Sequence, residues 1–163
     1  MARREIVKEN EATITLLSVH LTDEFKKIEG AVKALLLFYI DLDGMRWIND
    51  NMGHKEGDNA LIEVAAVLGE TFRSSDIIAR MGGDEFAVLA IDIEEGNTDI
   101  HMARLQDEID IHNGRENRRY RLSISVGCSC YDPENPCSID NLMASADEQM
   151  YSEKRRKRGE REA

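Results

Sequence analysis

Two acidic spots in the chain have a spacing that could do chemistry. Asp41 and Asp43 stand two apart in Asp41-Leu42-Asp43-Gly44, directly after an apolar run. Asp84 and Glu85 are adjacent in Gly82-Gly83-Asp84-Glu85, between two further apolar runs. Carboxylates are hard oxygen donors, and Mg²⁺ is ordinarily held by one or two of them together with substrate phosphate. Two such ions can activate an attacking oxygen and stabilise a leaving one. Glycine beside the acids leaves room for backbone to approach a phosphate and tolerates positive φ. Acids at strand ends are more often turn or cap residues, so spacing alone leaves both readings open. The elements that carry the two spots decide whether they meet.

Ala34-Leu-Leu-Leu-Phe-Tyr-Ile40 is a continuous apolar run, which predicts a strand covered on both faces. Residues 45 to 52 read as a short helix. After a turn at Gly53 to Gly57, a longer helix is predicted from about Asp58 to Phe72, with Leu61, Val64, Ala65, Leu68 and Phe72 on one face. Ile77 to Arg80 and Phe86 to Ile91 read as the arms of a hairpin around Gly82-Gly83-Asp84-Glu85. Residues 97 to 112 predict a helix. Tyr120 to Cys130 alternates like a strand, with Leu122, Ile124 and Val126 on one side and Ser123 and Ser125 on the other. Ser138 can cap a final helix through about Lys157. Residues 1 to 30 read as an N-terminal helical segment, with Leu21, Phe25 and Ile28 at helical spacing and Gly30 at its end. The pattern is α+β, a mostly antiparallel central sheet flanked by helices. If the strand ending at Asp41 neighbours the hairpin, the acids meet at one end of that sheet.

The chain has 163 residues, 42% hydrophobic and 33% charged, which suits one soluble domain with a single core. No apolar run is long enough to span a bilayer, and the first ten residues lack a signal peptide's apolar stretch. The expectation is a cytoplasmic protein without a membrane segment. A net charge of -11 argues against nucleic acid as a partner. The charge is uneven: Lys154 to Ala163 holds six Lys/Arg and two Glu, leaving about -15 on the rest. That basic end reads either as a solvated tail or as a phosphate clamp. Cys128, Cys130 and Cys137 have no disulfide or zinc spacing and read as bystander thiols.

Arg80-Met-Gly-Gly-Asp-Glu-Phe86 carries the signature of the GGDEF family of diguanylate cyclases. Asp41-Leu-Asp-Gly-Met-Arg-Trp-Ile-Asn49 through Gly53-His-Lys-Glu-Gly57-Asp58 resembles that family's other long signature, at the expected separation. The likeness extends through Ser125-Val-Gly127 and Ala146-Asp-Glu-Gln-Met-Tyr151 to Lys154. It covers about residues 34 to 158, so the catalytic domain is taken as 31–163.

The resemblance implies a ferredoxin-like palm of the nucleotidyl cyclase type. It implies two Mg²⁺ or Mn²⁺ ions per site, with Asp41, the Leu42 carbonyl and Asp84 as ligands and Glu85 beside them. It places Asn49 and Asp58 on guanine. Aspartate only accepts hydrogen bonds, so Asp58 suits guanine's N1–H and N2–H₂ donors and repels adenine's N1 acceptor. Gly82 and Gly83 face substrate. Lys154 and Arg158 meet the triphosphate, with Arg156 as the alternative to Arg158. Arg73-Ser-Ser-Asp76 resembles the family's inhibitory product site, for which Arg104 is a candidate third residue. The implied reaction joins two GTP into cyclic di-GMP across a homodimer, the product also acting as inhibitor.

Departures from the family pattern are visible. Glu11 to His20 keeps little of the usual opening stretch. Before Arg158, a run of Arg155-Arg-Lys157 replaces the usual small residues and glycine. His54 reads as ordering its loop by hydrogen bonding and Trp47 as packing. A degenerate domain that only senses GTP or cyclic di-GMP is the alternative; a different cyclic nucleotide product is a third reading.

Overall fold

The computed structural model describes residues 21–93 and 96–162. The stretch from Glu11 to His20 lies outside the described residues. Residues 21–28 are helical (α1). There follow β1 (Leu35–Leu42), α2 (Met45–Met52), α3 (His54–Thr71), β2 (Ile77–Gly82), β3 (Glu85–Ile91), α4 (Thr98–Asn113), β4 (Ile124–Tyr131) and α5 (Ile139–Glu162). The four strands form one antiparallel sheet in the order β2-β3-β1-β4.

Strand β1 is central, and all eight of its residues are buried. Its side chains alternate between two cores, as strand geometry requires. Leu36, Phe38, Ile40 and Leu42 pack with Leu61, Val64 and Leu68 of α3 and with Leu105 and Ile109 of α4. Leu35, Leu37 and Tyr39 pack on the other face with Leu21 and Phe25 of α1 and with Leu142, Ala146 and Met150 of α5. Phe25 meets Tyr131 edge to face with centroids 5.2 Å apart. The apolar run therefore does what its continuity predicts.

Several boundaries move. Helix α3 starts at His54, four residues before the expected Asp58, with Gly53 as N-cap at φ 91. Gly57 lies inside the helix: a β-carbon there would sit 1.9 Å from Asn49 Oδ1. The residue that reads as a turn is a site of close approach. The β4 ladder starts at Ile124 rather than Tyr120, because its partner β1 ends at Leu42, which pairs with Ile124. Helix α5 runs past Lys157 to Glu162. Ser138 does cap it, its Oγ accepting from Asn141 N–H at 3.1 Å. Trp47 is not packed but 54% exposed. His54 is exposed at the head of α3 and has no hydrogen bond to a described side chain in the loop before it.

Candidate functional site

The two acidic spots meet. Asp41, near the end of β1, is directly opposite Glu85 on β3 and Ser125 on β4. The Leu42 N–H donates to the Asp84 carbonyl at 3.0 Å, tying the end of β1 to the hairpin turn. In that turn Gly82 has φ 133 and Gly83 φ 54, a region costly for residues with a β-carbon. A β-carbon at either position would meet nothing within 4 Å, so the glycines answer to the backbone and leave open space above the turn. The Arg80 guanidinium holds the turn by donating to the Gly83 carbonyl at 2.9 and 2.6 Å.

Asp41 is 6% exposed, and its Oδ1 accepts from Lys154 Nζ at 2.7 Å. Burial pushes its carboxyl pKa up to about 6; Lys154 opposes that shift, and the nearby Asp84 and Glu85 charges add to it. Three carboxylates thus crowd one sheet end with one lysine among them. Glu85 Oε2 accepts from the Tyr39 hydroxyl at 2.9 Å; burial first, and then this hydrogen bond, raise the tyrosine's pKa.

Asp43 behaves differently. Its two oxygens accept from Ser123 Oγ and Ser125 Oγ, each at 2.7 Å, and Oδ2 also accepts from Lys157 Nζ at 3.3 Å. Its N–H donates to the Ser123 carbonyl at 2.8 Å. Three protein donors thus engage that carboxylate. The two serines and Lys157 went unrecognised as partners in the sequence; the signal was there in serines at alternate positions of β4 and a lysine one helical turn after Lys154.

Helices α2 and α3 bring Asn49 and the start of α3 together: Asn49 Oδ1 lies over Gly57, one residue before the exposed Asp58. That Oδ1 is buried with no hydrogen-bond partner among the described residues. Buried orphan acceptors are uncommon, and a donor-bearing ligand edge would satisfy this one.

Asp76 is 4% exposed and accepts from the Arg73 and Ile91 N–H groups at 2.8 and 3.1 Å. Arg73 donates to the Ile91 carbonyl at 2.8 Å, with its side chain about half exposed. Arg158 is exposed on α5, and Arg156 pairs with Glu160 at 2.5 Å. The cysteines form no disulfide, and burial lifts the Cys128 thiol to about 12, far from reactivity.

Asp41, Asp84 and Glu85 bring three carboxylates, the donor type that hard divalent cations take, to one sheet end, and their crowding favours a positive charge nearby. Among the described residues no group of three or more His, Cys, Asp or Glu forms a ready metal cage. Such a site needs oxygens from substrate phosphate to complete it, as Mg²⁺ sites on nucleotides do.

A family model for the diguanylate cyclase GGDEF domain matches residues 14–160. The chain is 31% identical over 159 residues to the diguanylate cyclase DgcP of Escherichia coli, covering 96% of this chain and 43% of DgcP. It is 36% identical over 132 residues to the diguanylate cyclase TpbB of Pseudomonas aeruginosa, covering 78% of this chain and 29% of TpbB. The chain therefore spans well under two thirds of these curated relatives. Among solved structures, the isolated GGDEF domain of TpbB superposes with a TM-score of 0.73 at 28% identity, over 87% of this chain and 83% of that one. The GGDEF domain of DgcB from Caulobacter crescentus, solved with c-di-GMP, gives 0.69 at 26% identity, over 84% and 81%. The fold is thus the α+β palm of the nucleotidyl cyclases, and the chain belongs to the GGDEF domain family of diguanylate cyclases.

Proposed function

We propose that this domain is an active diguanylate cyclase, each chain holding one GTP and two chains facing each other in a homodimer. The observation that carries this reading is the pairing of β1 with β3, which sets Asp41 opposite Glu85 and next to Asp84, under Lys154. The 3′-hydroxyl of each GTP attacks the α-phosphorus of the other; the bond to the departing pyrophosphate breaks, twice per turnover. Asp41, the Leu42 carbonyl and Asp84 would hold two Mg²⁺ or Mn²⁺ ions, which would supply charge stabilisation to the transferring phosphoryl group. The chain's own work is positioning. Lys154 and Arg158 hold the triphosphate, Gly82 and Gly83 let it approach the backbone, and Asn49 and Asp58 read guanine. Arg73 and Asp76 form the product site that restrains the enzyme, Asp76 also fixing the loop that presents Arg73, with Arg104 as the candidate third residue. The reaction takes place in the cytoplasm.

The test is incubation with GTP and Mg²⁺, followed by chromatography. The chain should form cyclic di-GMP, ATP should give no product, and Asp84→Ala should abolish turnover. Full activity in Asp84→Ala would remove the metal assignment.

A second reading is a sensor that binds GTP or cyclic di-GMP without turnover. It is favoured by Glu11 to His20, which keeps little of the family's opening stretch. Tight binding of cyclic di-GMP with no product from GTP would select it.

A further inference from the structure

Among the described residues only β1 pairs with β4, which leaves β4 at the sheet edge. Its outer backbone groups need partners or water. Helix α5 supplies partners at a regular interval. Gln149 Oε1 accepts from the Cys128 N–H at 3.3 Å. Glu153 Oε2 accepts from the Val126 N–H at 2.8 Å. Lys157 Nζ donates to the Ile124 carbonyl. Four residues of helix rise about 6 Å and two residues of strand about 6.8 Å, so the two periods match. The helix is buttoned to the strand edge by every fourth side chain. Gly127 lets it come close: a β-carbon there would lie 1.8 Å from the Ala146 carbonyl oxygen.

Lys157 differs from the other two. The same ammonium also reaches Asp43 Oδ2 at 3.3 Å and Glu153 Oε1 at 3.4 Å. It is 22% exposed, and Asp43 is also held by two serine hydroxyls. Lys157 therefore joins three parts: the helix, the start of β4 and the turn that follows β1. Lys154 lies three residues earlier on the same helix, with its ammonium on Asp41. A slip of α5 along β4 would carry Lys154 off the site.

We propose that Lys157 is a positioning residue, which fixes the register of α5 against β4 and the β1 turn and so delivers Lys154 to the Asp41 end of the sheet. Its functional consequence rests on the reading of that end as the GTP half-site; the structural linkage does not.

The experiment is a double-mutant cycle on the whole chain, with GTP and Mg²⁺ titrated directly and no turnover required. Lys157→Met should weaken GTP binding about tenfold or more, the order expected for a misplaced contact group. Lys157→Arg should recover most of it, since a guanidinium can span the same acceptors. Because Lys157 acts through Lys154, adding Lys157→Met to Lys154→Met should cost little more than Lys154→Met alone. Additive losses, or an unchanged affinity in Lys157→Met, would overturn the proposal. Should the unmodified chain fail to bind GTP, the functional reading fails instead, and amide exchange decides the linkage. Lys157→Met should then speed exchange at the Val126 and Cys128 amides, with Lys157→Arg restoring protection; unchanged exchange would overturn it.

Discussion

At the residue scale the site divides into groups with open capacity and groups already satisfied. Among the described residues Asp41 accepts a side-chain hydrogen bond only from Lys154, whereas Asp43 accepts from two serines and a lysine. Spacing makes Asp41 and Asp43 look equivalent; only the neighbours on β4 and α5 separate them, and those lie eighty or more residues away in sequence. The raised Asp41 pKa has a consequence for stability. In the folded chain the carboxyl holds its proton up to about pH 6, above its ordinary range. Its contribution is therefore present at low pH and is lost as pH rises through about 6. Asp41→Asn should raise the ligand-free melting temperature at pH 8 and change it little at pH 4, measured by calorimetry. His112 works the other way. It is 4% exposed with neither ring nitrogen hydrogen-bonded to a described residue, and burial, then Arg115 and Arg118, push its pKa down. The unfolded chain takes up the proton first, so stability is lost as pH falls below the ordinary 6.5. His112→Met should flatten the acid side of the stability profile between pH 7 and pH 5, approximate limits set by that titration.

At the element scale two glycines do different work. At Gly127 an added β-carbon meets backbone, the Ala146 carbonyl at 1.8 Å and the Met150 N at 2.5 Å. Gly127→Ala must push α5 off the sheet; a loss of about 3 kcal/mol, of the size seen for overpacking, is expected in urea unfolding. At Gly57 the obstacle is the end of a side chain, Asn49 Oδ1 at 1.9 Å, with Asn49 Cγ at 2.9 Å and Met45 Cε at 3.0 Å. Side-chain ends can turn away, so Gly57→Ala should leave stability within about 1 kcal/mol yet raise the GTP KM by displacing Asn49. The same positions show why some boundaries were legible and others were not. Strand β1 is readable because burial on both faces leaves an unbroken apolar run. Helix α5 is readable at its start because Ser138 makes a side-chain cap. Helix α3 is not: its N-cap is Gly53, with no side-chain cap bond, and Gly57 looks like a breaker although the approach of Asn49 selects it. The alternation at Tyr120 to Ser123 imitates a strand, but β1 offers no partner there after Leu42.

At the scale of the whole molecule, the sheet gathers its acids at one end, and the C-terminal helix brings a local positive charge to that end. Sequence made both groups visible separately; that Lys154 and Lys157 reach across to Asp41 and Asp43 follows from the fold. One chain presents one such end, and joining two nucleotides head to tail needs two. Each chain also carries -11, so facing copies repel and association should strengthen with salt. The most direct measurement of the central claim is the rate of cyclic di-GMP formation from GTP and Mg²⁺ as a function of protein concentration, repeated with the chain fused to a strong dimerising coiled coil. Two facing half-sites predict a rate that climbs as the square of concentration for the unfused chain and becomes proportional to it for the fusion. No cyclic di-GMP from the fusion, with GTP bound, would contradict the account.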